Sequence, residues 1–438
     1  MHIKFGLALW LNIIGLIFCF SEEESFFIGT STSAYQIEGS QPGVSIWDRF
    51  TEERNLQPVG NATNHYHLYK EDIKLMSALG FKHYRMSISW TRIMPYRWGE
   101  INQEGIQFYH NIFDELLVFN ITPFVTIYHW ELPDYIQQEI GGWSDPRIVG
   151  YYMNYSKVLF NEYGERVKYW ITINEPLTTS IQGYGTGTFA PGIRSVSEQY
   201  LSGHYQLLAH AHVANYYRLT YGEKGSIGIA INSNWYEPVD IDNERSVSIA
   251  KSEVMKNLGW FTDPLFFGRY PKELDGLVPE FTLSERILLE NSIDFFGLNH
   301  YTSYQVNSQG EITVDHKWVQ AQSTWLFDVP FGIYNILAFI KDRYGDIPIY
   351  ITESGFSMKN DTINDIDRIN YLNKYILETL KCIDDKQVNV KGFFVWSFLD
   401  NFEWSSGYNE TFGIVYVNRT DFQRIPKNSA LILRDYMI

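Results

Sequence analysis

Short apolar runs and longer amphipathic stretches alternate along most of the chain. Eight runs rich in β-branched and aromatic residues, at 26–38, 81–90, 122–130, 167–176, 226–235, 294–303, 347–355 and 390–400, read as buried strands. Between them apolar residues recur at helical spacing. Leu68, Ile73, Leu75, Met76 and Leu79 share one face over 66–79, and 106–119, 333–344 and 371–383 follow the same rule. Strand–helix alternation predicts parallel strands joined by right-handed crossovers. Eight such units with no linker or low-complexity segment predict an α/β fold: a single (β/α)₈ TIM barrel over 22–438, its catalytic face at the C-terminal ends of the strands. An open doubly wound sheet is the competing arrangement and would call for a nucleotide fingerprint. The one candidate, Gly185-Thr-Gly187-Thr-Phe-Ala190, does not follow its strand directly, and Pro191 blocks the helix that should come next. It reads as a flexible loop at the mouth of the fourth strand.

The start of the chain breaks this pattern. His2 and Lys4 precede an apolar core at 5–20, and Cys19-Phe20-Ser21 offers small residues for cleavage, which predicts a signal peptide over 1–21. The run is shorter than the ~20 residues a membrane span prefers. Six Asn-x-Ser/Thr sequons, at Asn61, Asn120, Asn154, Asn360, Asn409 and Asn418, suit a glycoprotein that is secreted or held in the lumen of the secretory pathway. Of the two cysteines, Cys19 leaves with the signal and Cys382 falls on a helical pattern, so no disulfide is expected within one mature chain. A formal charge of −16 argues against nucleic-acid partners and anionic membranes. Aromatic residues at 17% of the chain are a weak pointer to flat sugar-binding platforms.

The chemistry gathers at the strand ends. The fourth run stops in Asn174-Glu175-Pro176 and the seventh delivers Glu353 into a Ser-Gly turn; a carboxylate at the mouth of a buried strand is costly unless solvated, paired or used. Gln36-Ile-Glu38-Gly39 ends the first run, Arg85 stands on the second, and Tyr128-His129-Trp130 ends the third. Asn299-His300-Tyr301 ends the sixth, and Trp396 with Asn401-Phe402-Glu403-Trp404 ends the eighth. Amides, an imidazole, a carboxylate and indoles grip vicinal hydroxyls and stack on a pyranose ring. Two carboxylates facing a sugar are the requirement of glycoside hydrolysis, one protonated to donate, the other ionised to attack or to activate water. Arg85 and Tyr301 suit an ionised Glu353. The separation of the carboxylates, ~5 Å for retention or ~6.5–9.5 Å for inversion, decides the stereochemistry. Each of these residues alone has an ordinary structural reading; their joint placement is what points to a site. His65/His67 and His210/His212 do not form metal pairs at a spacing of two in helical patterns, and neither metal nor cofactor is expected.

Seven motifs in order, Thr32-Ser-Ala-Tyr-Gln36-Ile-Glu-Gly39, Tyr84-Arg-Met-Ser-Ile-Ser-Trp90, Tyr128-His-Trp130, Thr172-Ile-Asn-Glu-Pro176, Asn299-His-Tyr301, Ile351-Thr-Glu-Ser-Gly355 and 396–404, make the chain similar to glycoside hydrolase family 1, the β-glucosidase family, over essentially its whole mature length. The resemblance implies a β-glucosidase acting by retention through a covalent glycosyl-enzyme, with Glu353 as nucleophile and Glu175 as acid/base. It also implies that Gln36, His129, Asn174, Glu403 and Trp404 hold the sugar hydroxyls, that Trp396 lies beneath the ring, and that Trp325 is the aglycone platform. β-Galactosides and β-fucosides are further candidate substrates. Two residues depart from the family pattern: Ser354 stands where Asn is usual, and Met86 where Phe is common. Loops at 39–44, 271–279 and 304–323 are short, and the last, which would wall the aglycone site, predicts an open aglycone entrance. A transglycosylase, a thioglucosidase of the myrosinase type and a non-hydrolytic glycan- or protein-binding relative are the alternatives. The segment 405–411 lacks the basic residues a phosphorylated sugar would need.

Overall fold

The computed structural model describes residues 26–97, 99–359 and 363–437. The expected signal peptide with Cys19, and the sequon residue Asn360, lie outside the described residues. Eight strands, β1 (Phe27–Ser31), β2 (His83–Ser87), β3 (Thr122–Tyr128), β4 (Tyr169–Asn174), β5 (Ser226–Asn232), β6 (Phe295–Asn299), β7 (Ile349–Ser354) and β8 (Val390–Trp396), form a closed barrel. Every neighbouring pair is parallel, and β1 closes the ring by placing Ser31 opposite both Arg85 of β2 and Trp396 of β8. Helices such as Gln103–Val118, Val196–Tyr221 and Ile366–Lys386 carry the chain back between strands. Their starts follow local chemistry: the Asn102 and Ser195 side chains accept backbone N–H groups of the first turn.

Inside the lower barrel Phe124, Ile171, Ala230, Phe295, Tyr350 and Phe394 form one packed cluster, with Phe27 and Tyr169 against it. Phe124 stacks on Tyr169 at 4.1 Å. Such a ring contributes about 1.5–3 kcal/mol by leaving water, and Phe394→Ala would cost about 3–5 kcal/mol by opening a cavity. Gly29 is needed beside it, because a Cβ there would lie 2.7 Å from the Phe394 ring. This plug makes the barrel floor solid.

The predicted runs overshoot the C-terminal ends of their strands. In 26–38 only Phe27–Ser31 is extended, and Ala34–Ile37 turns into a short helix with Ser33 Oγ donating to Gln36 Oε1 at 2.6 Å. Beyond β5 and β6 the chain leaves the barrel, and Trp235–Pro238 pairs in parallel with Ser303–Val306 in a separate small sheet. Only the first residue of each of these strands falls inside a predicted run. Cys382 is a buried free thiol on Ile366–Lys386. Among the described residues no helix is long and apolar enough to cross a membrane.

Candidate active site

The fourth strand delivers its carboxylate through an unusual backbone. Glu175 adopts a left-handed conformation with φ 49°, its N–H donates to Ala230 O at 2.8 Å, and Pro176 starts a helical turn beneath it. A non-glycine residue in this region is strained and persists only where its surroundings hold it. Here they do. Asn299 Nδ2 donates to Glu175 Oε1 and Thr178 Oγ1 to Oε2, both at 2.8 Å, and Asn232 Nδ2 donates to Thr178 Oγ1 at 3.0 Å.

Glu353 has different company. Arg85 Nη1 donates to its Oε1 at 2.5 Å and the Tyr301 hydroxyl to its Oε2 at 2.8 Å. Arg85 is fully buried and spends its other hydrogens on Asn174 Oδ1 at 2.6 Å, Thr352 O at 3.0 Å and Thr126 Oγ1 at 3.3 Å. Asn299 stands opposite Glu353 in the β6–β7 pairing, and its amide nitrogen also donates to Asn174 Oδ1 at 3.1 Å. With that oxygen occupied twice, Asn174 Nδ2 faces His129 Nε2 at 3.2 Å, so the imidazole accepts there and is neutral. Burial and the Arg85 charge both hold His129 well below the usual range.

The two catalytic candidates are 7% and 4% exposed. Burial, then the charge of Glu353, pushes the Glu175 carboxyl up to about 7, against the pull of its bonds from Asn299 and Thr178. Burial and the carboxylates of Glu410, Glu353 and Glu175 likewise push Glu403 well above the ordinary range. Burial and the Glu353 charge keep Tyr301 protonated, and therefore a donor. The site thus holds one carboxyl among neutral donors and one against a cation.

The remaining candidates line the same mouth. Gln36 Nε2 donates to Phe402 O at 2.8 Å, to Asn401 Oδ1 at 3.2 Å and to Glu403 Oε2 at 3.4 Å, tying the first strand's end to the last. The His129 ring lies nearly parallel to Trp396 and Trp404, with centroids 5.7 and 6.0 Å away. Trp325 sits edge-on to Tyr301 at 5.7 Å and is 44% exposed, so the short segment 304–323 does not close over it. Glu38 is turned away into a buried pair with Arg92. His65 and His67 diverge, the first buried against Asp72 and the second exposed.

The glycosyl hydrolase family 1 profile matches residues 20–437. The chain belongs to this family. Beta-glucosidase 42 of Arabidopsis thaliana is 42% identical over 93% of this chain and 92% of its own. Beta-glucosidase 4 of Oryza sativa is 40% identical over 93% of both chains. Among solved structures, a rice Os3BGlu6 β-glucosidase mutant in a covalent complex with Glc has a TM-score of 0.90 at 36% identity, covering 95% of this chain and 98% of that one. An aphid myrosinase has a TM-score of 0.89 at 34% identity, covering 95% and 98%. With this closed barrel, the matches make the protein a β-glucosidase-type glycosidase.

In this family 1 enzyme the structure brings the two glutamates, Arg85, Tyr301, Asn174 and Asn299 into one hydrogen-bonded array, with Gln36, His129, Trp396, Glu403 and Trp404 along the rim. Sequence reasoning missed Thr178 and Asn232. Thr178 had a signal, being three residues past Glu175 in a turn that Pro176 begins; Asn232 had none beyond ending its strand. Of the departures, Met86 is buried on β2, and Ser354 faces Tyr371 at 3.2 Å between their oxygens.

Proposed function

We propose that this enzyme is a retaining β-glycosidase that hydrolyses β-glucosides, with β-galactosides and β-fucosides as further substrates, by double displacement. The observation that carries the reading is the split between the two carboxylates, Glu353 against Arg85 and Tyr301, and Glu175 buried among neutral donors. Glu353 attacks the anomeric carbon while Glu175 protonates the departing oxygen, giving a glycosyl ester and free aglycone. Esterification removes the Glu353 charge, which had been raising Glu175. Glu175 then gives up a proton more readily and serves as the base that activates water in the second step. The covalent Glc complex of the similar rice enzyme supports this course. Gln36, His129, Asn174, Glu403 and Trp404 bind the sugar hydroxyls, Trp396 lies beneath the ring, and Trp325 supports the aglycone.

An intact Glu175 favours O-glycosides over thioglycosides, whose leaving group is already good without protonation. The test is an aryl β-glucoside with and without an alcohol acceptor, followed by proton NMR. β-Glucose is expected as the first product, with no turnover by Glu353→Gln. α-Glucose first, or full activity in that variant, would overturn the assignment. Dominant alkyl glucoside would make the enzyme a transglycosylase, and no turnover of any β-glycoside a binding protein.

The same reading makes the protein secreted, with the signal peptide removed after Ser21 and the barrel domain starting at Glu22. It is supported by the apolar leader and by the sequons: Asn61, Asn120, Asn154 and Asn409 are exposed and Asn418 half-buried. N-terminal sequencing of protein from the medium of expressing cells is expected to begin at Glu22; an uncleaved, cell-retained chain would reject it.

A further inference from the structure

Behind Tyr301 two tyrosines converge on a single atom. Tyr371 and Tyr375, one helical turn apart on Ile366–Lys386, both place their hydroxyls on the Tyr301 backbone carbonyl, at 2.7 and 2.9 Å. A carbonyl oxygen has two lone pairs and no hydrogen, so each hydroxyl must donate to it. That fixes the remaining bonds. The Tyr375 oxygen accepts from Val329 N–H at 3.3 Å, and the Tyr371 oxygen is left to accept from Ser354 Oγ at 3.2 Å. The two rings stack at 3.9 Å, and both are fully buried.

We infer that Ser354, Tyr371 and Tyr375 are positioning residues for the nucleophile, because they close a loop of bonds around it: Ser354 donates to Tyr371, Tyr371 to the Tyr301 carbonyl, the Tyr301 hydroxyl to Glu353, and Glu353 is covalently joined to Ser354. Strand β7 and the segment carrying Tyr301 are thereby locked at the attacking carboxylate, and the second tyrosine holds the same carbonyl from the loop before Phe331–Tyr344. None of the three touches the substrate. The inference rests on Glu353 being the nucleophile, so the test separates the two statements.

Wild-type protein is trapped with a 2-deoxy-2-fluoro-β-glucosyl fluoride, in which Glu353 displaces fluoride at C1, and the labelled peptide is mapped. Label on another residue overturns the nucleophile assignment itself. With label on Glu353, Ser354→Ala and Tyr371→Phe are each expected to lower the first-order trapping rate about three- to tenfold, the worth of one buried hydrogen bond. The half-saturating concentration is expected to stay within about twofold, as for a step-specific loss. Because both act through one chain, the double variant is expected to fall little further than either single one. Unchanged trapping rates, whatever happens to Tm, or single effects that simply multiply, overturn the positioning role. Tyr375→Phe removes the second bond to the Tyr301 carbonyl and gives an independent reading if Ser354→Ala folds poorly: a slower trapping rate supports the positioning of Tyr301 from behind, and an unchanged one rejects Tyr375 as a positioning residue.

Discussion

Loss of one proton, that of Glu175, is expected to set the alkaline limb of activity. Burial and the Glu353 charge push this carboxyl up to about 7, while Asn299 and Thr178 pull it down. Against the ordinary 4.5, that favours the acid form by about 3 kcal/mol. For a β-glucoside with a poor alkyl leaving group, kcat/KM therefore falls about tenfold per pH unit above that point. Glu175→Gln removes both the proton and the titration. On the alkyl glucoside it is expected to cost on the order of 10²–10⁴-fold in kcat/KM, the usual worth of a general acid, and the residual rate loses its alkaline limb. A dinitrophenyl glucoside leaves without protonation, so its first step keeps most of its rate, and the lost base slows the second. The assay is kcat/KM for both substrates and both proteins from about pH 5 to 10. A limb centred at the ordinary carboxyl value, or one that survives in the variant, refutes the reasoning.

The same substitution is expected to stabilise the fold in base. The Glu175 carboxyl is raised in the folded state, so its contribution is present below 4.5 and is lost as pH rises through about 7. Above that pH the glutamine variant leads by up to about 3 kcal/mol, read as a gain in Tm that vanishes in acid. Glu353→Ala leaves the buried Arg85 cation without its carboxylate and is expected to cost about 3–5 kcal/mol in urea unfolding; no loss would mean that the pair is not compensating a buried charge. Trp325→Ala removes an exposed ring worth about 0.5–1.5 kcal/mol of stacking, so KM for aryl β-glucosides rises about two- to tenfold. Its Tm is expected to stay put, and an unchanged KM would remove Trp325 from the aglycone site.

The parts of this fold legible in the sequence are those set by local patterning. The run 347–355 could be recognised because consecutive apolar residues in a parallel strand are buried on both faces, and Glu353 stands out as the charge that breaks it. The helix Ile366–Lys386 was visible as 371–383, but periodicity shows a face and not its partner. Tyr371 and Tyr375 therefore read as core, although their hydroxyls determine where Tyr301 stands. Asn232 was invisible for a related reason, since its role depends on the register of β4 against β5, a long-range fact. The small sheet joining Trp235–Pro238 to Ser303–Val306 was not foreseen beyond the first residue of each strand, because 304–323 read as a loop and pairing between distant segments leaves no local pattern.

Strand spacing in a closed barrel bears on how two carboxylates can face one substrate. Glu175 and Glu353 belong to β4 and β7, three steps apart in the order β4–β5–β6–β7. With neighbours ~4.8 Å apart and a tilt of ~36°, eight strands enclose a ring of roughly 8 Å radius, and three steps span a chord of about 14 Å. Two inward-pointing glutamate side chains, each reaching ~4 Å from its Cα, leave about 6 Å between the carboxylates, room for a glycosidic bond to lie between them. Two steps would bring the carboxylates together as a proton-sharing pair. In the three-step arrangement the intervening strand end supplies Asn299, whose amide bridges Asn174 and Glu175 while its backbone pairs with Glu353. Arg85 on β2 reaches Glu353 and Asn174 from across the mouth, so the buried guanidinium pairs with Glu353 while Glu175 stands among neutral donors. Under the proposed mechanism the cation stands beside the attacking group while burial acts on the proton donor, so chemically identical side chains take opposite roles at one pH.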